Sequence, residues 1–235
     1  MNPFDSAVLH FINQFVQKSR LFDNAIEELS QNLLLNGGII TALLWALWAR
    51  RTPRQERNRS FVIAGVVLTV VALAVARTLA LFLPYRERPR FSPALGLRIP
   101  VATSPYAGLI HWSSFPSDHA VLYFALATTV FFVSRKIGLF AYFHAAIVVC
   151  FPLLYLGIHY PTDLICGALI GGGIACLALN DSIREGIARP ALHWCANSPA
   201  TFYPAFYLWS VLTATEFDSV RSVALDFWKI LKRKL

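Results

Sequence analysis

Charge is scarce in this chain. Only 14% of its 235 residues are Asp, Glu, Lys or Arg, where a soluble domain carries about 25%. Beside 56% hydrophobic residues, that deficit excludes an ordinary water-soluble globule. Cysteine is sparse as well: Cys150, Cys166, Cys176 and Cys195 show no CxxC or CxH spacing, which supports neither a disulfide framework nor a zinc site. Three of them lie in apolar runs, where a free thiol behaves as a small hydrophobe. No low-complexity linker or internal repeat divides the chain, which reads as a single domain, 1–235. A signal peptide is not expected, because Asp5, Asn13, Gln14 and Gln17 interrupt any apolar h-region.

What the chain has instead is long apolar runs. Segments 33–49, 61–83, 118–134, 138–158 and 162–179 each approach the ~17–25 residues a helix needs to cross the hydrocarbon core. They predict an all-α, polytopic transmembrane bundle of five or six spans. The sixth would be 199–215, where Pro204 and Tyr207 leave crossing and interfacial placement equally open. Amphipathic segments flank the bundle. Near the start, Phe4, Val8, Ile12 and Phe15 recur at helical spacing, so 1–30 reads as an interfacial segment. Near the end, Val220, Val223, Ala224, Phe227 and Leu231 form a stripe among Arg221, Lys229, Lys232, Arg233 and Lys234, making 216–235 a basic amphipathic tail.

The net charge of +8 is largely topological and does not point to nucleic acid. Arg50, Arg51, Arg54, Arg57 and Arg59 cluster between the first two runs, opposed only by Glu56, as in loops that stay on the cytoplasmic side. That places 84–117 outside, Ser134-Arg135-Lys136 inside and His159 outside. The outer loop holds Pro84, Pro89, Pro93, Pro100, Pro105 and Pro116, which exclude a regular helix and leave room for a short turn near Pro93-Ala94-Leu95. A loop this long is usually functional. Gly167, Gly171, Gly172 and Gly173 in the last run offer a small-residue surface for close helix packing.

Two histidines emerge on that outer side. His119 follows Pro116-Ser117-Asp118 at the start of one apolar run. His159 precedes Tyr160-Pro161-Thr162-Asp163 at the start of another. Pro161 suits the first turn of a helix, which sets Asp163 one turn from His159. A carboxylate bonded to one imidazole nitrogen fixes the tautomer and leaves the other free to attack. Ser117, Asp118 and His119 open a helix whose N–H groups form an anion site, with Arg88 on the facing loop. One histidine can then attack phosphorus while the other protonates the leaving oxygen and later activates water. His10, His111, His144 and His193 lie at interfaces, in loops or inside a span, and are read as structural.

In motif order and placement, residues 60–180 resemble the type-2 phosphatidic acid phosphatase superfamily, integral-membrane lipid phosphate phosphatases. Its three motifs are Lys-x6-Arg-Pro, Pro-Ser-Gly-His and Ser-Arg-x5-His-x3-Asp. They stand here as Arg88-Pro89, Pro116-Ser117-Asp118-His119 and His159-x3-Asp163. The resemblance implies a phosphatase-like core at 61–180, His159 as nucleophile, Asp163 as its orienting partner and His119 as acid and later base. It assigns Arg88 and Ser117 to phosphate oxygens and implies no metal and no cofactor. Three positions depart from the pattern: Leu81 replaces the first Lys, Leu153 the Arg of the third motif, and Asp118 the Gly. Arg77, one turn deeper than Leu81, can snorkel to the mouth and joins the substrate-side candidates, as does Asp118, a helix-start residue favoured by the dipole. For Leu153, either Arg86, Arg90 or Arg98 takes the missing cation's place, or the protein is weak or inactive.

The expected activity is hydrolysis of a lipid phosphate or polyprenyl diphosphate at the extracytoplasmic face of the cytoplasmic membrane. The alternative is a related protein that binds or translocates lipid phosphates with little catalysis. Partners beyond the lipid substrate and membrane lipids are not indicated.

Overall fold

The computed structural model describes residues 2–100 and 104–215, so the basic tail expected at 216–235 lies outside the described residues. Within them every regular element is helical. In chain order these are α1 (Pro3–Asn13), α2 (Arg20–Gln31), α3 (Ile39–Ala49), α4 (Gln55–Phe82), α5 (Asp118–Val133), α6 (Arg135–His144), α7 (Phe151–Tyr155), α8 (Pro161–Ala175), α9 (Asp181–Asn197) and α10 (Pro199–Ala214). Local chemistry sets several starts. Ser117 accepts from the Ala120 N–H at 3.5 Å ahead of α5, Asn180 from Ile183 N–H at 3.2 Å ahead of α9, and Pro161 opens α8. Each accepts from, or removes, one of the N–H donors a helix start leaves unpaired.

Three helices are long and apolar enough to cross a membrane: Gln55–Phe82, Arg135–Tyr155 (α6 running through a π-type turn into α7) and Pro161–Leu179 (α8 with a short 3-10 extension). A fourth results if α2 and Leu34–Ala49, bent by 62° at their junction, count as one span. Five or six runs were expected, and two account for the difference. Run 33–49 is tied into that bend. Run 118–134 is α5, apolar but only 16 residues long. It sits between α4, α6 and α8, with Val121, Leu122, Tyr123, Leu126 and Val130 all buried. A helix enclosed on every side is hydrophobic all round, so its apolarity marks the bundle's centre. The ambiguous 199–215 segment is α10, packed on α3 through Trp48 and Phe202 at 5.6 Å between rings and a Trp45 indole bond to Ser210 Oγ at 3.0 Å.

Of the four glycines in the last run, two bring backbones together. A Cβ at Gly167 would stand 2.6 Å from the Ser117 carbonyl oxygen, and one at Gly171 2.1 Å from that of Val121, while Gly173 faces open space. The close α5–α8 contact holds the starts of both helices at one end of the bundle, where α4 also finishes. At that end 84–100 and 104–117 fold over with short 3-10 turns, Pro89–Phe91, Pro93–Leu95 and Ser104–His111 among them. The turn expected near Pro93 is among them.

Candidate active site

Pro84 ends α4 by removing a donor and restricting the residue before it. The following strand-like segment is then pinned from two sides. The Arg86 carbonyl accepts from Ser114 N at 2.9 Å, and Arg90 N donates to the Gly157 carbonyl at 2.8 Å. Gly157 has φ +67°, a left-handed conformation that costs glycine little, and a Cβ there would crowd Arg90 N at 3.3 Å. That close approach aims Arg88 inward. Its Nη1 donates to the Ile158 carbonyl at 3.0 Å and meets His159 Nε2 at 3.1 Å, while Nη2 reaches the Ser113 carbonyl at 3.4 Å.

His159 is buried, and its other ring nitrogen, Nδ1, lies 2.8 Å from the Ser114 carbonyl oxygen. A carbonyl can only accept and a guanidinium can only donate. The network therefore assigns the proton to Nδ1 and leaves a lone pair on Nε2, facing the Arg88 guanidinium. Burial is the main cause that pushes the His159 pKa down to about 4; Asp163 opposes the fall, and the Arg88 charge and His119 add to it. The ring is neutral at physiological pH. Burial likewise lowers Arg88 to about 10, with Asp118 and Asp163 pulling it back up and Arg77 pressing it down, so it stays cationic at neutrality.

Asp163 was expected to hold the imidazole directly. Its Oδ2 stands 3.6 Å from Nδ1, beyond hydrogen-bond distance, and accepts instead from Tyr160 N at 2.8 Å. Its Oδ1 takes Arg86 Nη1 at 2.5 Å. The acceptor at bonding distance from the imidazole is the Ser114 main chain, which a reading of side chains does not reveal. Asp163 contributes its charge and fixes the turn that carries His159.

The remaining candidates gather at the same end. Arg77 forms an ion pair with Asp118 and lies 5.2 Å from the Trp112 ring. Ser117 is fully buried; its hydroxyl caps α5, and its N–H donates to the Asp163 carbonyl at 3.2 Å. His119, at the start of α5, is close enough to act electrostatically on His159. Leu81 is 82% exposed and points away from this cluster's interior. Leu153 is 4% exposed and packs in an apolar cluster with Cys150, Leu156, Ile158 and Tyr106. Of the three arginines that could replace its missing cation, Arg98 is exposed and tied by its backbone to Asn13, and Arg86 is engaged by carboxylates. Arg90 is 6% exposed, donates to the Leu156 carbonyl at 3.2 Å and lies 4.2 Å from the Tyr106 ring. It alone of the three enters the neighbourhood of Leu153.

One participant was missed. Asp5, on α1, is 0% exposed. It accepts from Thr162 N at 2.9 Å, Thr162 Oγ1 at 2.8 Å and Arg86 Nη2 at 2.6 Å. Burial raises its pKa, but the Thr162 and Arg86 bonds outweigh burial and hold it below the ordinary carboxylate value. Arg86 thus bridges Asp5 and Asp163, stacked 3.9 Å over the Tyr160 ring, and ties the amino-terminal helix to the start of α8. The sequence's only hint was an acid standing among apolar positions. The other histidines are structural in the fold: His144 donates to the Leu35 carbonyl at 2.7 Å, and His10 and His193 pair with Ser6 and Asn197 at the surface. Among the described residues no group of three or more His, Cys, Asp and Glu is placed to hold a metal ion.

A neutral imidazole with its lone pair toward a buried guanidinium is arranged to attack an anion held by that cation. The chain is 25% identical over 165 residues to "Bacitracin transport permease protein BcrC" of Bacillus licheniformis, covering 68% of this chain and 72% of that protein. It is 29% identical over 152 residues to "Putative undecaprenyl-diphosphatase YbjG" of Escherichia coli (strain K12), covering 64% and 68%. No solved structure matches. The family model described as PAP2 superfamily matches residues 61–186, more than half of the chain and the whole of the histidine cluster, and the chain belongs to that superfamily.

Proposed function

We propose that this protein is a membrane lipid phosphatase that hydrolyses a polyprenyl diphosphate, or a related lipid phosphate, through a phosphohistidine at His159. The observation that carries the reading is the direction of His159 Nε2, whose lone pair faces Arg88 at 3.1 Å while Nδ1 is anchored at 2.8 Å to Ser114. A phosphate drawn to Arg88 meets the nucleophile. His159 Nε2 forms the N–P bond as the P–O bond to the leaving group breaks, and the leaving oxygen takes a proton from His119. His119 then accepts a proton from water, whose oxygen attacks phosphorus, breaks the N–P bond and releases inorganic phosphate. Arg88 stabilises the charge that develops on the phosphoryl oxygens. Arg77 and Ser117 are its companions on the substrate side, with Asp118 holding Arg77 in place. The polyprenyl diphosphate preference follows the relative named for that substrate class.

The extracytoplasmic placement of this end, in the cytoplasmic membrane, rests on the arginines between α3 and α4, which mark the opposite end as the one retained inside. The mechanism asks nothing of a metal or cofactor. Phosphate release from a polyprenyl diphosphate by purified protein tests the proposal. Wild type should turn over and His159→Ala should not; equal release by both would overturn it. A second reading, a lipid-phosphate binder with little catalysis, is favoured by the burial of Leu153 in an apolar cluster. It is chosen if no lipid phosphate is hydrolysed while lipid binding persists.

A further inference from the structure

A wide cavity lies at the other end of the bundle. It has a volume of about 650 Å³, within the range of pockets that enclose a drug-sized ligand. Four cations line it: Arg50, Arg54 and Arg57, from the end of α3 to the first turn of α4, and Arg135, from the α5–α6 turn. Phe61, Phe131 and Phe132 supply an aromatic wall. No Asp or Glu lines the cavity, and among the described residues none of the four arginines has a carboxylate partner within 4.0 Å. Glu56, between Arg54 and Arg57 in sequence, is not in the lining, and Asp181 and Glu185 pair with Arg184 at 2.6 and 3.3 Å. The side-chain interaction that engages one of the four is Arg57 over the Phe61 ring, at 5.7 Å.

Positive charge that only marked the orientation of the chain would need neither a cavity nor a contribution from two separate loops. We propose that this cavity binds the phosphate of an anionic membrane lipid, as a second site separate from the histidine cluster. Guanidinium forks match phosphate oxygens bidentately, the start of the 28-residue helix α4 adds a favourable dipole end, and the phenylalanines meet the apolar part of the lipid. A free inorganic phosphate shares the anionic chemistry but has no use for the aromatic wall. The inference does not depend on the hydrolytic reading.

Native mass spectrometry of the full chain in detergent, titrated with phosphatidylglycerol or phosphatidylcholine, tests it; both are diesters, and a His159→Ala background removes the histidine site's nucleophile. The expected result is one retained phosphatidylglycerol, bound at least about tenfold more tightly than phosphatidylcholine, whose phosphate carries the same charge but whose quaternary ammonium is repelled by the arginines. Arg54→Gln with Arg57→Gln should lose that preference. Arg51→Gln with Lys136→Gln removes the same charge from exposed positions outside the cavity and should keep it, all variants retaining wild-type helicity and melting temperature. Equal retention of the two lipids, or equal losses from the two double variants, would overturn the proposal. So would inorganic phosphate displacing the lipid at equal concentration.

Discussion

The two ends of the bundle are built from the same side chain used in opposite ways. At the histidine end three arginines are fastened: Arg77 to Asp118, Arg86 to Asp5 and Asp163, and Arg88 to two carbonyls and His159. At the far end Arg50, Arg54, Arg57 and Arg135 surround an open cavity without carboxylate partners among the described residues. Fastened cations are preorganised, so they stabilise charge developing in a reaction without reorganising. Unfastened ones can close on an anion that arrives, which serves binding. On the proposed reading, the contrast separates chemistry from retention within a single bundle.

The sharpest way to break the contrast is to remove a fastened cation. Arg88→Ala should lower kcat/KM by about 10³ or more, the scale of a guanidinium that stabilises phosphoryl transfer, and Arg88→Lys should recover little because the fork is lost. Lipid-phosphate turnover measures both. Arg90 is the next test. Arg90→Ala should cost about 10²-fold, and Leu153→Arg in that background should restore part of the loss if Arg90 stands in for the missing cation.

Loosening the scaffold sharpens the comparison further. Asp5→Asn leaves Arg86 a single carboxylate partner, Asp163, and should lower kcat about tenfold with KM nearly unchanged, because Asp5 touches no reacting atom; Asp5→Glu should retain more activity than Asp5→Ala. The pH profile gives the next effect. In the proposed mechanism His159 attacks as the neutral base, and burial lowers its pKa from 6.5 to about 4. Activity lost to its protonation therefore appears only as pH falls toward 4, and the acidic limb of kcat/KM should stay level from about pH 7.5 to 5.5. A limb near 6.5 would show a solvated imidazole. The smallest change belongs to the far end, where Arg51→Gln and Lys136→Gln, exposed and outside the cavity, should alter turnover less than about twofold.

Much of the catalytic end was legible in the sequence because its parts are local. His119 and Ser117 share one helix start, His159 and Asp163 are one turn apart, and Arg77 lies on the helix that leads to the Arg88 loop. Each relation follows from helical spacing and a proline. What was hidden depends on contacts between distant segments. Asp5 meets Thr162 across 157 positions, and in sequence it looked only like a break in an apolar run. Ser114 orients His159 through a main-chain carbonyl, which carries no residue signature. The number of spans is hard to read for a related reason: α5 is enclosed by neighbouring helices, and hydropathy alone does not separate burial in protein from burial in lipid. The far-end arginines were visible as a topological signal, but Arg135 joins Arg50, Arg54 and Arg57 only through the packing of α4 against α5.

The central claim is that His159 Nε2 is the attacking atom. Rapid acid-free quenching of the enzyme during turnover of a radiolabelled polyprenyl diphosphate, followed by peptide mapping, tests it most directly. One acid-labile phosphoryl group on the peptide containing His159, absent from His159→Ala, is the predicted result. Label on His119 or on a carboxylate, or turnover that persists in His159→Ala, would contradict the account.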